Sequence, residues 1–291
     1  MAPPVICVHQ MGKVGSTSVV AALQRLFPAQ KIHQTHLLSD AGVLRGMEWW
    51  FDQPKTPEAK VPDHLLASIE LGRRLADGIE AADWYLVCLV REPLGRNVSA
   101  FFQDLHRQWL PHLPEKTQAI CRRVLRASAD GPDVATDEEL RMLVRDLGTI
   151  FDAKFPHEWY DRWFDEEMRD VFGIDVFAEA FSTEQGFQVY RRGTVRLLLL
   201  RVEDLPRTFD LAVPEWLEGS SLTSAATAWR EERSNDGGTK RYADLYRTFL
   251  ADRMVTPQRV AEAYGSRTAR HFYTDAELTE FRKGWEDVSA S

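Results

Sequence analysis

Val5-Ile6-Cys7-Val8-His9-Gln10-Met11-Gly12-Lys13-Val14-Gly15-Ser16-Thr17-Ser18 is the stretch from which the rest of the chain can be read. Val5 to Val8 form a short apolar run that fits a buried strand. From Ser16 onward Val19, Ala22, Leu23, Leu26 and Phe27 recur at helical spacing until Pro28 stops them. The residues between are therefore a turn at a helix N-terminus. There, unpaired backbone N–H groups and the positive end of the helix dipole favour a phosphate or sulfate. Gly12 and Gly15 allow close approach, Ser16, Thr17 and Ser18 add donors, and Lys13 adds a full charge.

A second apolar run, Trp84-Tyr85-Leu86-Val87-Cys88-Leu89-Val90, has the length of a central parallel strand and delivers Arg91 to its C-terminal edge. Pro93 follows at a position suited to the first turn of a helix. Open α/β sheets bind ligands outside the carboxyl ends of their strands, so Arg91 shares an edge with Lys13. Val195 to Val202 read as a further buried strand closed by Glu203-Asp204-Leu205. Lys31 to His36 read as a short second strand, and Gly173–Phe177 and Gly186–Tyr190 as possible short strands. Trp49, Trp50, Phe51, Pro54, Pro57 and Pro62 suggest an irregular segment, followed by a helical pattern from Asp63 to Ala82. Asp104 to Glu167 is charged, Trp-rich and helical in pattern, with a break at Gly131-Pro132-Asp133. Ser234 to Lys240 is the clearest loop signal, and helices follow around Tyr242–Phe249 and Ala276–Trp285.

The expectation is an α/β protein with a central, mainly parallel sheet flanked by helices in three layers. It is read as a single domain over residues 1–291, with helical insertions at about 40–82 and 104–167. At 291 residues the chain can bury a substantial core. Hydrophobic content of 44% and charged content of 27% are those of a soluble globular protein. A net charge of −8, from 36 basic and 44 acidic residues, argues against general affinity for nucleic acid or anionic membranes. Any anion site must be local. Cys7, Cys88 and Cys121 are widely spaced and read as core residues, neither a disulfide framework nor a metal site. No secretory leader and no apolar run of about 18 residues is present, and a cytoplasmic protein is expected. Oligomeric state is not legible.

The turn differs from a Walker A loop, which needs four residues between its first glycine and Gly-Lys-Ser/Thr, with the hydroxyl directly after the lysine. Here Lys13 precedes Val14-Gly15-Ser16-Thr17. That order resembles the 5′-phosphosulfate loop of sulfotransferases that use 3′-phosphoadenosine-5′-phosphosulfate (PAPS). Arg91 at a strand end, followed eight residues later by Ser99, resembles the element of the same superfamily that grips the 3′-phosphate of the donor. Leu200 to Leu205, His271-Phe272-Tyr273-Thr274 and Phe281 to Trp285 look like a bacterial branch labelled capsular polysaccharide synthesis protein. The resemblance implies a P-loop-like fold, a PAPS co-substrate held by Lys13, Gly15, Ser16, Thr17, Ser18, Arg91 and Ser99, and a hydroxyl-bearing acceptor, glycan or small molecule. Golgi members of the superfamily carry a membrane anchor, so the lack of one points to a bacterial source.

Sulfuryl transfer places charge on the bridging oxygen of the leaving phosphate, and Lys13 with the turn amides could stabilise it. The acceptor hydroxyl needs a base, and a histidine suits that task near neutrality. In several sulfotransferases a histidine or glutamate beyond the second strand serves. His36 occupies that stretch and is the candidate, with His33 the competitor, since strand alternation sets residues three apart on opposite faces. The scheme requires no metal, and none is expected. Two other readings stay open: a nucleoside-triphosphate-dependent kinase or ATPase, disfavoured by the displaced lysine, and a non-catalytic nucleotide-binding module. Glu203-Asp204 reads as structural. Arg282-Lys283-Gly284 reads as a helix cap, and Trp49, Trp50, Trp159 and Trp163 as core more than acceptor site.

Overall fold

Val5–His9 form strand β1 with every residue buried, and the chain then turns into helix α1 (Ser16–Leu26). The structure, a computed structural model, describes residues 3–52, 60–126, 135–220, 222, 229–230 and 242–286. After α1 come β2 (Ile32–Thr35), α2 (Asp40–Asp52), α3 (Asp63–Ala76), β3 (Trp84–Val90), α4 (Pro93–Gln103), α5 (Glu115–Arg126), α6 (Asp137–Lys154) and α7 (Trp159–Phe164). A π-helical turn, Asp165–Arg169, leads into α8 (Asp170–Phe172). Then follow β4 (Phe187–Arg192), β5 (Val195–Arg201), α9 (Leu205–Leu217), α10 (Ala243–Ala251), α11 (Pro257–Gly265), α12 (Arg267–Phe272) and α13 (Asp275–Glu286).

The five strands make one sheet in the order β2-β1-β3-β5-β4. β2, β1, β3 and β5 are parallel, and β4 is an antiparallel edge. β3 is a continuous apolar run and β5 carries four consecutive buried leucines, Leu197–Leu200, as strands covered on both faces require. From β1 the chain moves to β2 on one side and then crosses to β3 on the other. The gap between the carboxyl ends of β1 and β3 is therefore the point where strand order reverses, the place where such sheets leave a crevice.

Contacts divide the chain into two compact units. The first, Met1–Arg91 with Glu158–Ser234, holds the whole sheet. Successive side chains of β3 serve its two faces. Tyr85 packs edge-on against Trp216 of α9, which also meets Phe27 at the end of α1, with ring centroids 5.8 and 6.5 Å apart. Trp84, on the opposite face, meets Phe172 of α8, which in turn lies 6.0 Å from the ring of His9. Helices thus cover both faces, giving three layers. The second unit, Glu92–His157 with Asn235–Ser291, is helical and is built on an aromatic cluster. Phe101 and Phe102 of α4 pack with Phe151 of α6 and Phe249 of α10 at centroid distances of 5.1–6.4 Å.

Several expectations are corrected in detail. Trp49, Trp50 and Phe51 lie inside α2 and are not irregular. The helix begun at Asp63 ends at Ala76, short of Ala82, because Gly78 takes a positive φ of 104° before the chain enters β3. Gly173–Phe177 forms no strand, whereas the Gly186 segment supplies β4. Arg282-Lys283-Gly284 sits within α13, which runs on to Glu286. The breaks expected at 131–133 and 234–240 lie outside the described residues. All three cysteines are buried, and burial pushes the Cys7 and Cys121 thiols up to about 12, which leaves them inert. Among the described residues no helix is long and apolar enough to cross a membrane.

Candidate functional site

The turn after β1 is held in an unusual backbone state. Lys13 has φ 73°, a left-handed conformation that costs a side-chain-bearing residue roughly 1–2 kcal/mol, and Gly15 has φ 74°. Only a glycine takes the second position without cost. Left-handed residues thus stand on either side of Val14. Val14 itself is fully buried and pins the turn from beneath. Gly15 is the N-cap of α1, so the cap brings no side-chain acceptor, and the first turn of the helix carries no carboxylate. Lys13, Ser16 and Ser18 are half-buried, and Gly15 and Thr17 exposed.

Arg91 follows β3 and reaches the same turn. Its Nη1 donates to the Lys13 carbonyl at 3.2 Å, using one of five guanidinium N–H donors. The Tyr160 hydroxyl donates to the Arg91 carbonyl and fixes the strand end. The resemblance assigns Arg91 to the 3′-phosphate, the far end of the donor from Lys13. In this structure its guanidinium lies against the lysine turn itself. Ser99 lies on α4, half-buried, in the second unit, so its pairing with Arg91 rests on the resemblance alone.

The turn after β2 carries His36. β2 ends at Thr35, so strand alternation does not reach His36 and cannot set its direction. Hydrogen bonds do. His36 Nδ1 lies 2.8 Å from the carbonyl oxygen of Gln10, and a carbonyl only accepts, so Nδ1 carries the proton. Nε2 is then the basic nitrogen of the neutral ring. The Trp163 indole donates to the His36 carbonyl at 2.9 Å, and the His64 ring lies 4.8 Å away. His33, by contrast, is buried within β2 with Nδ1 4.0 Å from Glu70. Burial holds its pKa below the ordinary histidine value, with Glu70 pulling the other way.

Immediately after His36 the chain is clamped by Glu167, on the π-helical turn. Glu167 is fully buried and accepts from Leu38 N at 2.5 Å, Ser39 N at 3.0 Å and Ser39 Oγ at 2.7 Å. His9, also fully buried, sets Nε2 3.6 Å from Glu167 and Nδ1 2.8 Å from Thr35 Oγ1. Burial pushes the Glu167 carboxyl up, but His9 and the Ser39 and Leu38 donors outweigh it, and the pKa lies below the usual carboxylate value. Gly42 is required beside it, since a Cβ there would stand 2.7 Å from Ser39 Oγ and closer still to the carboxylate. Sequence reading missed Glu167 within Asp165-Glu166-Glu167, which looks like a solvated acidic face. The available signal was His9, a polar ring inside an apolar strand that had to find a partner.

The other singled-out residues have structural partners. Asp204 pairs with Arg201 and, at 3.0 Å, with Arg207. Trp163 is fully buried, while Trp159 is flanked by the guanidiniums of Arg45 and Arg162 at 5.0 and 5.7 Å. Among the described residues no group of three or more His, Cys, Asp and Glu is placed to hold a metal.

Fold and site together define an α/β protein with a lysine-bearing, glycine-capped turn where strand order reverses. Within this chain, residues 138–274 match the family model described as "Putative capsular polysaccharide synthesis protein". The match covers just under half of the chain; it includes Trp159, Tyr160, Trp163 and Glu167 and begins after Lys13, His36, Arg91 and Ser99. No curated protein and no solved structure matches the chain.

Proposed function

We propose that this protein is a sulfotransferase that moves a sulfuryl group from PAPS to a hydroxyl of a glycan. The observation that carries the reading is the Lys13 turn: an ammonium on a left-handed backbone, opening a helix whose N-cap is glycine at the sheet's switch point, with Arg91 hydrogen-bonded to it. The saccharide acceptor draws support from the polysaccharide label of the matched family. In this reading the three-layer sheet is P-loop-like, with lysine entering from the strand side of the turn, and the enzyme works in a bacterial cytoplasm.

The step balances with few parts. The bond from sulfur to the bridging phosphate oxygen breaks, and its electron pair stays on that oxygen. The acceptor oxygen bonds to sulfur from the opposite side, and its proton passes to His36 Nε2. Adenosine 3′,5′-bisphosphate and a sulfate ester leave. Lys13 and the turn amides stabilise the charge that builds on the bridging oxygen, ready-placed and so without reorganisation. Gln10 and Trp163 hold His36 in the tautomer and position that a base needs.

Calorimetric titration tests the donor: adenosine 3′,5′-bisphosphate is expected to bind, and to bind more tightly than Mg·ATP. Stabilisation by Mg·ATP alone would replace this reading with a kinase or ATPase. His36→Ala is expected to lower turnover by about 10²–10⁴-fold with nucleotide affinity intact. Normal transfer by that variant, alongside a dead His33→Ala, would move the base to His33.

A further inference from the structure

Beside the candidate base, a groove of ≈ 570 Å³ opens along the outer edge of β2, between α1 and α3. Its size falls within the range of small-ligand sites, about 300–1,000 Å³. Two of its wall residues touch the candidate machinery directly. His64 lies ring to ring with His36 at 4.8 Å, and Gln34 donates to Ser16 Oγ at 2.8 Å, the first residue of α1. The groove therefore starts where the acceptor hydroxyl has to be presented.

Its lining suits a polyhydroxylated ligand. His33, 4% exposed, lines the groove with a buried Nδ1 that has no hydrogen-bond partner among the described residues, Glu70 at 4.0 Å being too far. A buried polar atom without a partner costs about 1–3 kcal/mol, a cost that a small turn of the His33 ring towards a ligand hydroxyl would remove. Burial lowers the pKa of both His33 and His64, so each ring offers one donor and one acceptor near neutrality, as a hydroxyl does. Leu66, 49% exposed, supplies an apolar patch for the C–H face of a sugar ring. The charges argue against an anionic one. The groove carries Asp63, Glu70 and Lys31, and Lys31 is already paired with Glu70 at 2.6 Å.

We propose that this groove is the acceptor subsite and takes an uncharged sugar unit, presenting one of its hydroxyls towards His36. The assignment of the sugar as acceptor rests on the sulfuryl-transfer reading; binding of the sugar in the groove does not. The test uses the full chain labelled at histidine, followed by NMR during titration with methyl β-D-glucoside and, separately, with glucuronic acid. Methyl glucoside is expected to shift the His33 and His64 ring signals saturably, with glucuronic acid about five-fold weaker because of Asp63. Ala67→Trp, which fills the groove, is expected to abolish both responses. Asp63→Asn, at an exposed position, is expected to bring the two sugars to equal affinity. Absence of sugar-dependent shifts at His33 and His64, or an unchanged preference in Asp63→Asn, overturns the proposal. Adenosine 3′,5′-bisphosphate binding is measured on the same samples. Nucleotide bound without sugar shifts overturns the groove and keeps the transfer reading, and sugar bound without nucleotide does the reverse.

Discussion

The turns after β1 and β2 face the same physical problem and solve it in opposite ways. Each leaves the carboxyl end of a parallel strand and starts a helix, so each gathers backbone N–H groups and helix-dipole charge at one spot. At the turn before α2 the protein supplies its own anion: the Glu167 carboxylate accepts from Leu38 N, Ser39 N and Ser39 Oγ. At the turn before α1 the cap is glycine, the first turn has no acid, and the side chain added is a lysine. The α2 turn shows how an anion satisfies such a site, and in the proposed function the donor's phosphosulfate plays that part at the α1 turn. A carboxylate with two or three donors is a fair stand-in for one face of a phosphate or sulfate.

The comparison breaks most visibly at Glu167. Glu167→Ala is expected to cost about 3–5 kcal/mol in urea unfolding, since it strands two amides and a hydroxyl in the interior. If the loss is under about 1 kcal/mol, the α2 turn does not depend on its internal anion and the parallel fails. The same carboxylate sets a pH dependence. Its folded pKa is depressed, so its contribution is fully present above the unfolded glutamate value of about 4.3 and is lost as pH falls through the lower folded value. Parent protein is expected to lose stability more steeply than Glu167→Gln across that acidic window, and equal slopes would count against it.

Next in size is Lys13. Lys13→Ala is expected to lower sulfuryl transfer by about 10²–10³-fold and to weaken adenosine 3′,5′-bisphosphate binding, with the fold retained. An unaltered nucleotide affinity would mean that the Lys13 turn is not an anion site. Gly42→Ala sharpens the contrast from the other side. A methyl group at Gly42 meets Ser39 Oγ at 2.7 Å, whereas one at Gly15 would meet Val202 at an ordinary 3.5 Å and suffer only from its backbone angle. Gly42→Ala is expected to cost about 1–3 kcal/mol of stability with nucleotide binding untouched.

The two turns also differ in how far the sequence discloses them. The Lys13 turn is local: strand, glycines, lysine, hydroxyls and helix are contiguous from Val5 to Leu26, and periodicity alone places them. β3 and β5 are equally plain, because a continuous run such as Trp84–Val90 has little choice but to be covered on both faces. The α2 turn is non-local. Its anion comes from a residue more than a hundred positions away, within an acidic run whose neighbours, Asp165 and Glu166, form ordinary ion pairs with Arg169 and Arg45. Only the tertiary fold separates Glu167 from them. The orientation of His36 was hidden for the same reason. Its tautomer is fixed by the Gln10 carbonyl, and no spacing within Lys31–His36 encodes that bond.

The smallest effect tests whether the Lys13 turn is strained for a purpose. Glycine at 13 would relieve roughly 1–2 kcal/mol of left-handed strain and give back about 0.5–1 kcal/mol through the freer unfolded chain. Lys13→Gly is therefore expected to be up to about 1 kcal/mol more stable than the parent in urea unfolding, while losing transfer as Lys13→Ala does. Alanine keeps the strain, so Lys13→Ala gains nothing. Arg253, with φ 49°, is the control: Arg253→Gly is expected to gain stability similarly and to leave nucleotide binding unchanged. Greater stability with lost function at 13 alone would mean that the backbone there is held against its own preference so that an ammonium can stand where charge develops. A less stable Lys13→Gly would mean instead that the lysine side chain holds the turn together, and that the resemblance between the two turns ends at their geometry.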